Sequence, residues 1–390
     1  MADRSISLGI MQIDVTGRAS ERLTRLTERA SARFTDTLKP ETRLAVRNFQ
    51  LSEPSLTPGD AGYDALDFVQ LGINEKTERR LAFLILVTEV EISAASFSYL
   101  LALPSQLTNV AIISTRRLAE LGTPEADNED LLADRLGTLM VHCFGRLVNL
   151  DYVSGQPANY LYALDSPDDL DAMVRFTDAQ FATIKANLPL EANDRFSEGN
   201  TTLFFLSQTL ANLPRIIRGA LRSNPLRIAT KLPTMIATAL SVIIIMIFGA
   251  ETWDFAAAVR PDQLSVFSVA AFFLSTLILY RAFSFKLVST RNGSTSESSV
   301  VTAAATYLAL FLTLLVLFVA FGLLMYGIIV YVFPDALMST WTTDTDGNSF
   351  NTHVQLSIFL AAVGVLSGSL GGSSDTRSVV RNVLFATDET

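Results

Sequence analysis

The stretch His142-Cys-Phe-Gly-Arg-Leu-Val-Asn-Leu-Asp-Tyr152 has the spacing of a metal-binding helix. In the pattern H-E-x-x-H-x-x-G-x-x-H, two histidines one turn apart hold zinc and the glutamate activates a water. Here His142 keeps the first ligand position. Cys143 stands at the glutamate, Arg146 at the second histidine, Asn149 at the glycine and Tyr152 at the third ligand. One ligand of three survives and the general base is gone. The frame of the chemistry is present and its donors are not, so no residue is assigned a catalytic or metal-binding role.

The rest of the chain cannot refill the site. It contains two histidines, His142 and His353, and one cysteine, Cys143, whereas a zinc site needs three or four N, S or O ligands. A set built from His142, Cys143 and Asp151 fails on geometry. Neighbouring residues on a helix point about 100° apart, Asp151 is one residue short of the third slot, and Arg146 puts a cation where the metal charge belongs. A Cys–His nucleophilic pair fails for the same reason of adjacency. No phosphate-binding loop or dinucleotide fingerprint occurs. A lone cysteine forms no internal disulfide, which suits a reducing compartment.

The flanking segments would carry the helix. Leu136, Met140 and Leu147 lie on or near one helical face. Ile6–Asp14 reads as a short strand and Leu81–Glu91 as a buried strand ending in acidic residues. An aromatic stretch, Phe97–Pro104, and then Asn109–Leu118 precede the helix; Tyr160–Met173 and Arg175–Gln180 follow it. In this order the segments resemble the archaemetzincin-like (metzincin-type) zinc metalloproteases over roughly residues 5–190. The resemblance implies an α+β metzincin-like soluble domain, with Leu161 at the position of the methionine beneath the metal. The cysteines that the family carries after its histidine motif are absent here. On this reading His142, Cys143, Arg146, Asn149, Tyr152 and Leu161 are vestigial metal-site positions. Arg146 is then a candidate occupant of the vacated metal position, pairing with an acidic group such as Asp151.

The second half reads as an all-α transmembrane domain. Apolar runs at 232–250, 264–280, 300–333 and 354–371 are nearly or fully free of charge, and about 20 such residues span a bilayer. The third is longer than a span needs and could tilt, project, or bend near Gly322 or Gly327. Four spans are expected. Ahead of them, residues 200–231 mix leucine, isoleucine and phenylalanine with Arg215, Arg218, Arg222, Arg227 and Lys231, the pattern of a helix lying in the membrane interface. A helix packing the soluble domain onto the spans fits the pattern too. Pro214, Pro225 and Pro233 should break this stretch into short pieces. The expected organisation is a cytoplasmic domain at 1–198, a juxtamembrane amphipathic linker at 199–231, a four-helix membrane domain at 232–372 and a cytoplasmic tail at 373–390.

Basic residues set the orientation. Those five, with Arg281, Lys286, Arg291, Arg377 and Arg381, fall on one side, and Arg260 alone on the other. By the positive-inside rule both termini of this multi-pass protein face the cytoplasm across the cytoplasmic (inner) membrane. Residues 1–198 hold 19 Lys and Arg against 29 Asp and Glu, which argues against nucleic acid as a partner. Asp344–Asn348 matches part of a calcium loop, but Ser349 and Gln355 replace its glycine and glutamate, so it reads as a polar external turn. These features point to a catalytically inactive binding, scaffold or sensing module at the membrane, with a protein or peptide partner, no cofactor, and room for homo-oligomers. The first alternative is an active membrane-bound metalloprotease using zinc through non-standard ligands. The second is a subunit of a transport complex, which the absence of an ionisable residue inside the spans disfavours.

Overall fold

Strand β1 (Ile6–Asp14) is buried over most of its length and lies inside a five-stranded sheet of order β2-β1-β4-β7-β6. The computed structural model describes residues 6–15, 17, 21–38, 42, 44–52, 54, 56–59, 62–93, 100–120, 122–192, 201–282, 296–333 and 350–372. Lys286, Arg291, Arg377, Arg381, the tail at 373–390, the turn Asp344–Asn348 and Phe97 with its two neighbours lie outside them. The described residues fall into two units. The first runs to Asn212 and takes in 296–302; the second holds 213–282, 303–333 and 350–372.

In the first unit, helix α1 (Glu21–Leu38) leads to β2 (Leu44–Ser52). Strand β3 (Tyr63–Asp64) and helix α2 (Ala65–Glu78) then lead to β4 (Phe83–Thr88). The helical crossovers return the chain in the same direction, so β2, β1 and β4 run parallel, and β7 (Val110–Ser114) pairs parallel with β4 without a helix between them. Strand β5 (Ile92–Ser93) pairs with β3, and β6 (Ala102–Ser105) closes the main sheet as an antiparallel edge. Pro104 fits there because an edge strand can spare an N–H. The unit is therefore α/β, not the α+β class expected, because the parallel pairing is made by crossovers that local patterns do not specify.

Helix α3 (Glu129–Leu147), the one carrying His142, starts at Asn128, whose side chain accepts a hydrogen bond from the Leu131 amide at 3.2 Å. It packs on β6 and β7 and alongside α1. Arg25 pairs with Glu129 at 2.9 Å, and Arg29 and Arg33 pair with Asp130 and Asp134. The apolar stripe Leu136, Met140, Leu147 is fully buried. A deeper anchor is Arg135, 2% exposed, which donates to Asp171 at 2.6 and 2.9 Å, to Asp168 at 2.7 Å and to the Leu118 carbonyl at 2.8 Å. Those aspartates belong to the turn before, and the single turn of, α4 (Asp169–Ala172). Helix α5 (Asp178–Glu191) follows behind a capping box between Thr177 and Gln180. Helix α6 (Thr201–Ala211) ends the unit's continuous part.

In the second unit the interface-like stretch is cut into α7 (Leu213–Arg222) and α8 (Pro225–Ala229), and Pro233 opens α9 (Pro233–Ile247). All three prolines sit in first turns, where the missing N–H costs nothing. Helix α9 has 15 residues, about 22 Å, short of a hydrocarbon core of about 30 Å. After a two-residue break the chain turns by 86° into α10 (Ala250–Ala258). Gly249 begins α10, and the buried indole of Trp253 donates to the Ile247 carbonyl at 2.8 Å, which satisfies the cut end of α9. Among the described residues, three helices are long and apolar enough to cross a membrane: α11 (Pro261–Ala282), α12 (Glu297–Tyr331) and α13 (Phe350–Gly371). The number is four if the bent pair counts as one span. The first expected span is thus no straight one. The third run is a single unbroken helix of 35 residues that continues through Gly322 and Gly327. Helix α13 packs on α9 through small residues: a Cβ at Gly368 would fall 2.9 Å from the Met235 carbonyl oxygen, and one at Gly364 would strike Ile243.

Candidate functional site

The last two turns of α3 and the segment after it bring His142, Arg146 and Tyr152 together. The spacing of four puts the first two on one helical face. Tyr152 returns to them because the helix ends in a tight turn. Asn149 adopts a left-handed conformation, φ 68°. Its N–H bonds the Arg146 carbonyl at 3.0 Å, and the Leu150 N–H bonds the Gly145 carbonyl at 3.1 Å. This paired closure is a Schellman motif, in which the left-handed residue is usually glycine and sometimes asparagine. Asn149 therefore does at the template's glycine position what a glycine would do.

His142 is fully buried, with Nδ1 2.7 Å from the Tyr160 carbonyl oxygen. A carbonyl only accepts, so Nδ1 carries the proton and Nε2 the lone pair. Nε2 is buried and has no hydrogen-bond partner among the described residues. Burial lowers the imidazole from its usual 6.5 to about 4, the Tyr160 carbonyl partly opposes this, and the charge of Arg146 adds to the fall. His142 is neutral at pH 7. A protonated ring nitrogen on a carbonyl and a bare one opposite is the arrangement that orients a histidine toward a metal.

What stands beside it is a cation and a phenol. Arg146 is 1% exposed, donates from Nη1 to the Leu150 carbonyl at 2.5 Å, and stacks its guanidinium 4.1 Å from the Tyr152 ring centroid. The Tyr152 ring lies 5.7 Å from that of His142. The expected pairing with Asp151 is present at 4.0 Å, but that carboxylate is 99% exposed, and the Leu150 carbonyl and the Tyr152 ring hold the guanidinium more closely. Asp151 follows a turn that points it into water. Cys143, 0% exposed, belongs to the apolar core. Leu161 packs beneath the helix, where a Cβ at Gly145 would come within 2.9 Å of it, and its carbonyl accepts from the Val153 N–H at 2.8 Å.

A three-ligand zinc ion does not fit this set. His142 offers one bare nitrogen, and the positions of the other two ligands hold a guanidinium and a phenol. Among the described residues, no group of three or more His, Cys, Asp or Glu side chains could hold a metal ion. A hollow of about 310 Å³ lies toward the other end of α3, lined by charges of both signs from Arg22, Glu89, Arg116 and Asp127. The Tyr160 carbonyl and the Arg135–Asp168–Asp171 cluster are the supports that sequence reasoning missed. The signal for the cluster was present in the acidic run after Pro167, but nothing in the sequence paired it with an arginine 33 residues earlier.

Solved structures similar to part of this chain include a zinc-dependent peptidase from Methanocorpusculum labreanum, with 18% identity, a TM-score of 0.38 and coverage of 45% of this chain and 99% of that one. Two archaemetzincins are also similar. That of Methanopyrus kandleri shows 15% identity and a TM-score of 0.38 over 47% of this chain and 96% of its own. That of Archaeoglobus fulgidus, complexed with malonate, shows 16% and 0.35 over 46% and 100%. Likeness at this level carries no argument about chemistry, and the site is read from its own residues. No protein-family model and no curated protein matches the chain.

Proposed function

We propose that the first unit is a catalytically inactive metzincin-like module, held at the cytoplasmic face of a membrane by the apolar helices of the second, and that it binds a protein or peptide partner. The observation that carries this reading is Arg146. A buried guanidinium, fixed by the Leu150 carbonyl and the Tyr152 ring, stands where the spacing puts a second metal ligand. A cation there repels a divalent ion, and Cys143, in the core, stands where the motif has the carboxylate that activates water. The orientation rests on the ten-to-one basic bias, and the scaffold role on the loss of donors from a kept frame.

One observation favours the alternative of an active zinc enzyme with non-standard ligands. The bare, buried Nε2 of His142 is oriented as a ligand would be. Elemental analysis of the purified full chain separates the two. The inactive reading expects zinc well below one per chain and no change in metal content on His142→Ala. About one tightly held zinc per chain, lost in that variant, would establish the alternative.

A further inference from the structure

Helix α7 carries three kinds of surface on ten residues. At about 100° per residue, Ile216 and Ala220 share one arc, Leu213, Ile217 and Leu221 the next, and Arg218, Arg222 and Arg215 the arc beyond. Ile216 and Ala220 are buried. The second arc is not: Leu213 is 44%, Ile217 41% and Leu221 58% exposed. A shallow hollow runs along it, lined by Leu213, Pro214, Ile217, Arg218, Leu221 and Arg222. An apolar stripe left open beside a cationic one needs an occupant that is apolar in one layer and anionic in the next.

The surrounding chain narrows the choice. From Thr201 to Ala250 there are five basic residues and not one Asp or Glu, in a protein of net charge −9. The acidic first unit is thus followed by fifty residues of one sign, ending in the apolar helix α9. An acidic protein surface would satisfy the arginines but not the stripe; zwitterionic lipid would satisfy the stripe but gain little from the arginines.

We infer that α7 docks on an anionic lipid leaflet, with Leu213, Ile217 and Leu221 entering the acyl boundary and Arg215, Arg218 and Arg222 holding phosphate-bearing headgroups. This inference rests on the membrane reading of the second unit. Each arginine near an anionic surface favours the bound state by about fivefold, so three give roughly a hundredfold preference for anionic over neutral lipid. The preference weakens as salt screens the surface.

The test uses the full chain in lipid nanodiscs, labelled with a polarity-sensitive dye on Ile217→Cys; the native Cys143 is fully buried and stays unlabelled. The dye should report an apolar environment in discs of phosphatidylcholine with phosphatidylglycerol and an aqueous one in phosphatidylcholine alone. Replacing Arg215, Arg218 and Arg222 with Gln should abolish the difference, and replacing them with Lys should retain it. The same signal in both lipids, or one that grows with the number of chains per disc, overturns the inference; the latter would assign the stripe to a second copy. A chain that stays soluble without detergent and enters no disc refutes the membrane reading itself, a result distinct from either.

Discussion

Removing the Arg146 side chain tests the account of the site most directly. The guanidinium is 1% exposed, and its bond to the Leu150 carbonyl is charge-assisted, while its stack on Tyr152 is shielded from water. The bond contributes about 1.5–3 kcal/mol and the stack about 1–2, against which stands the desolvation of the charge. Truncation also leaves the Leu150 oxygen and the Tyr152 ring facing a void. Arg146→Ala should therefore destabilise the first unit by about 2–4 kcal/mol. Arg146→Met keeps the volume without the charge and should cost less than half of that, since an apolar isostere escapes the desolvation. Asp151→Asn should cost less than about 0.5 kcal/mol, because that carboxylate is in water and 4.0 Å from the guanidinium. Hydrogen exchange of the α3 amides in the full chain, read by mass spectrometry, gives the opening free energy locally. The reasoning is refuted if Arg146→Ala opens no more readily than the native chain, or if Asp151→Asn costs as much.

Asn149→Gly should be neutral within about 0.5 kcal/mol, while Asn149→Val should cost about 1–2, since a β-branched residue resists the left-handed turn; denaturation curves of the two variants check this. The folded pKa of His142, about 4, lies below the 6.5 of the unfolded chain, so the unfolded state takes up the proton first. Its contribution is therefore complete above about pH 6.5 and lost as pH falls toward 4, about 3 kcal/mol in all. His142→Gln should flatten the stability profile in that window, and parallel profiles would contradict the assignment. Arg146→His with Tyr152→His should create a three-nitrogen set with His142 and bind about one zinc per chain, measurable by competition with a chromophoric chelator.

Much of this was legible because it is local. Helical period put His142 and Arg146 on one face, and the alternation and burial of Ile6–Asp14 and Leu81–Glu91 contained β1 and β4. Asn149 was legible as a substitution but not as a function, since only the observed φ shows that it replaces the glycine in conformation. The parallel register, the Arg135 cluster and the Tyr160 carbonyl on His142 join segments 18 residues apart or more, and no periodicity reports such pairings. Asp151 was legible as a partner from its nearness in sequence, but not that it would sit in water 4.0 Å away while the Leu150 carbonyl and the Tyr152 ring make the closer contacts. The break in the first apolar run had a signal, Gly249 followed by a polar Glu-Thr pair, but the indole that stabilises the bend is visible only in three dimensions.

That indole also decides what light can report about this protein. The chain has two tryptophans, Trp253 and Trp341, and Trp253 belongs to the second unit. Trp253 is fully buried, with Phe333 6.0 Å from it ring to ring, and its N–H is tied to the end of α9. The emission of Trp253 therefore responds to straightening of the α9–α10 bend. A ligand or lipid that shifts the Trp253 band acts on the helical half, so in a Trp341→Phe variant that half carries an optical label of its own.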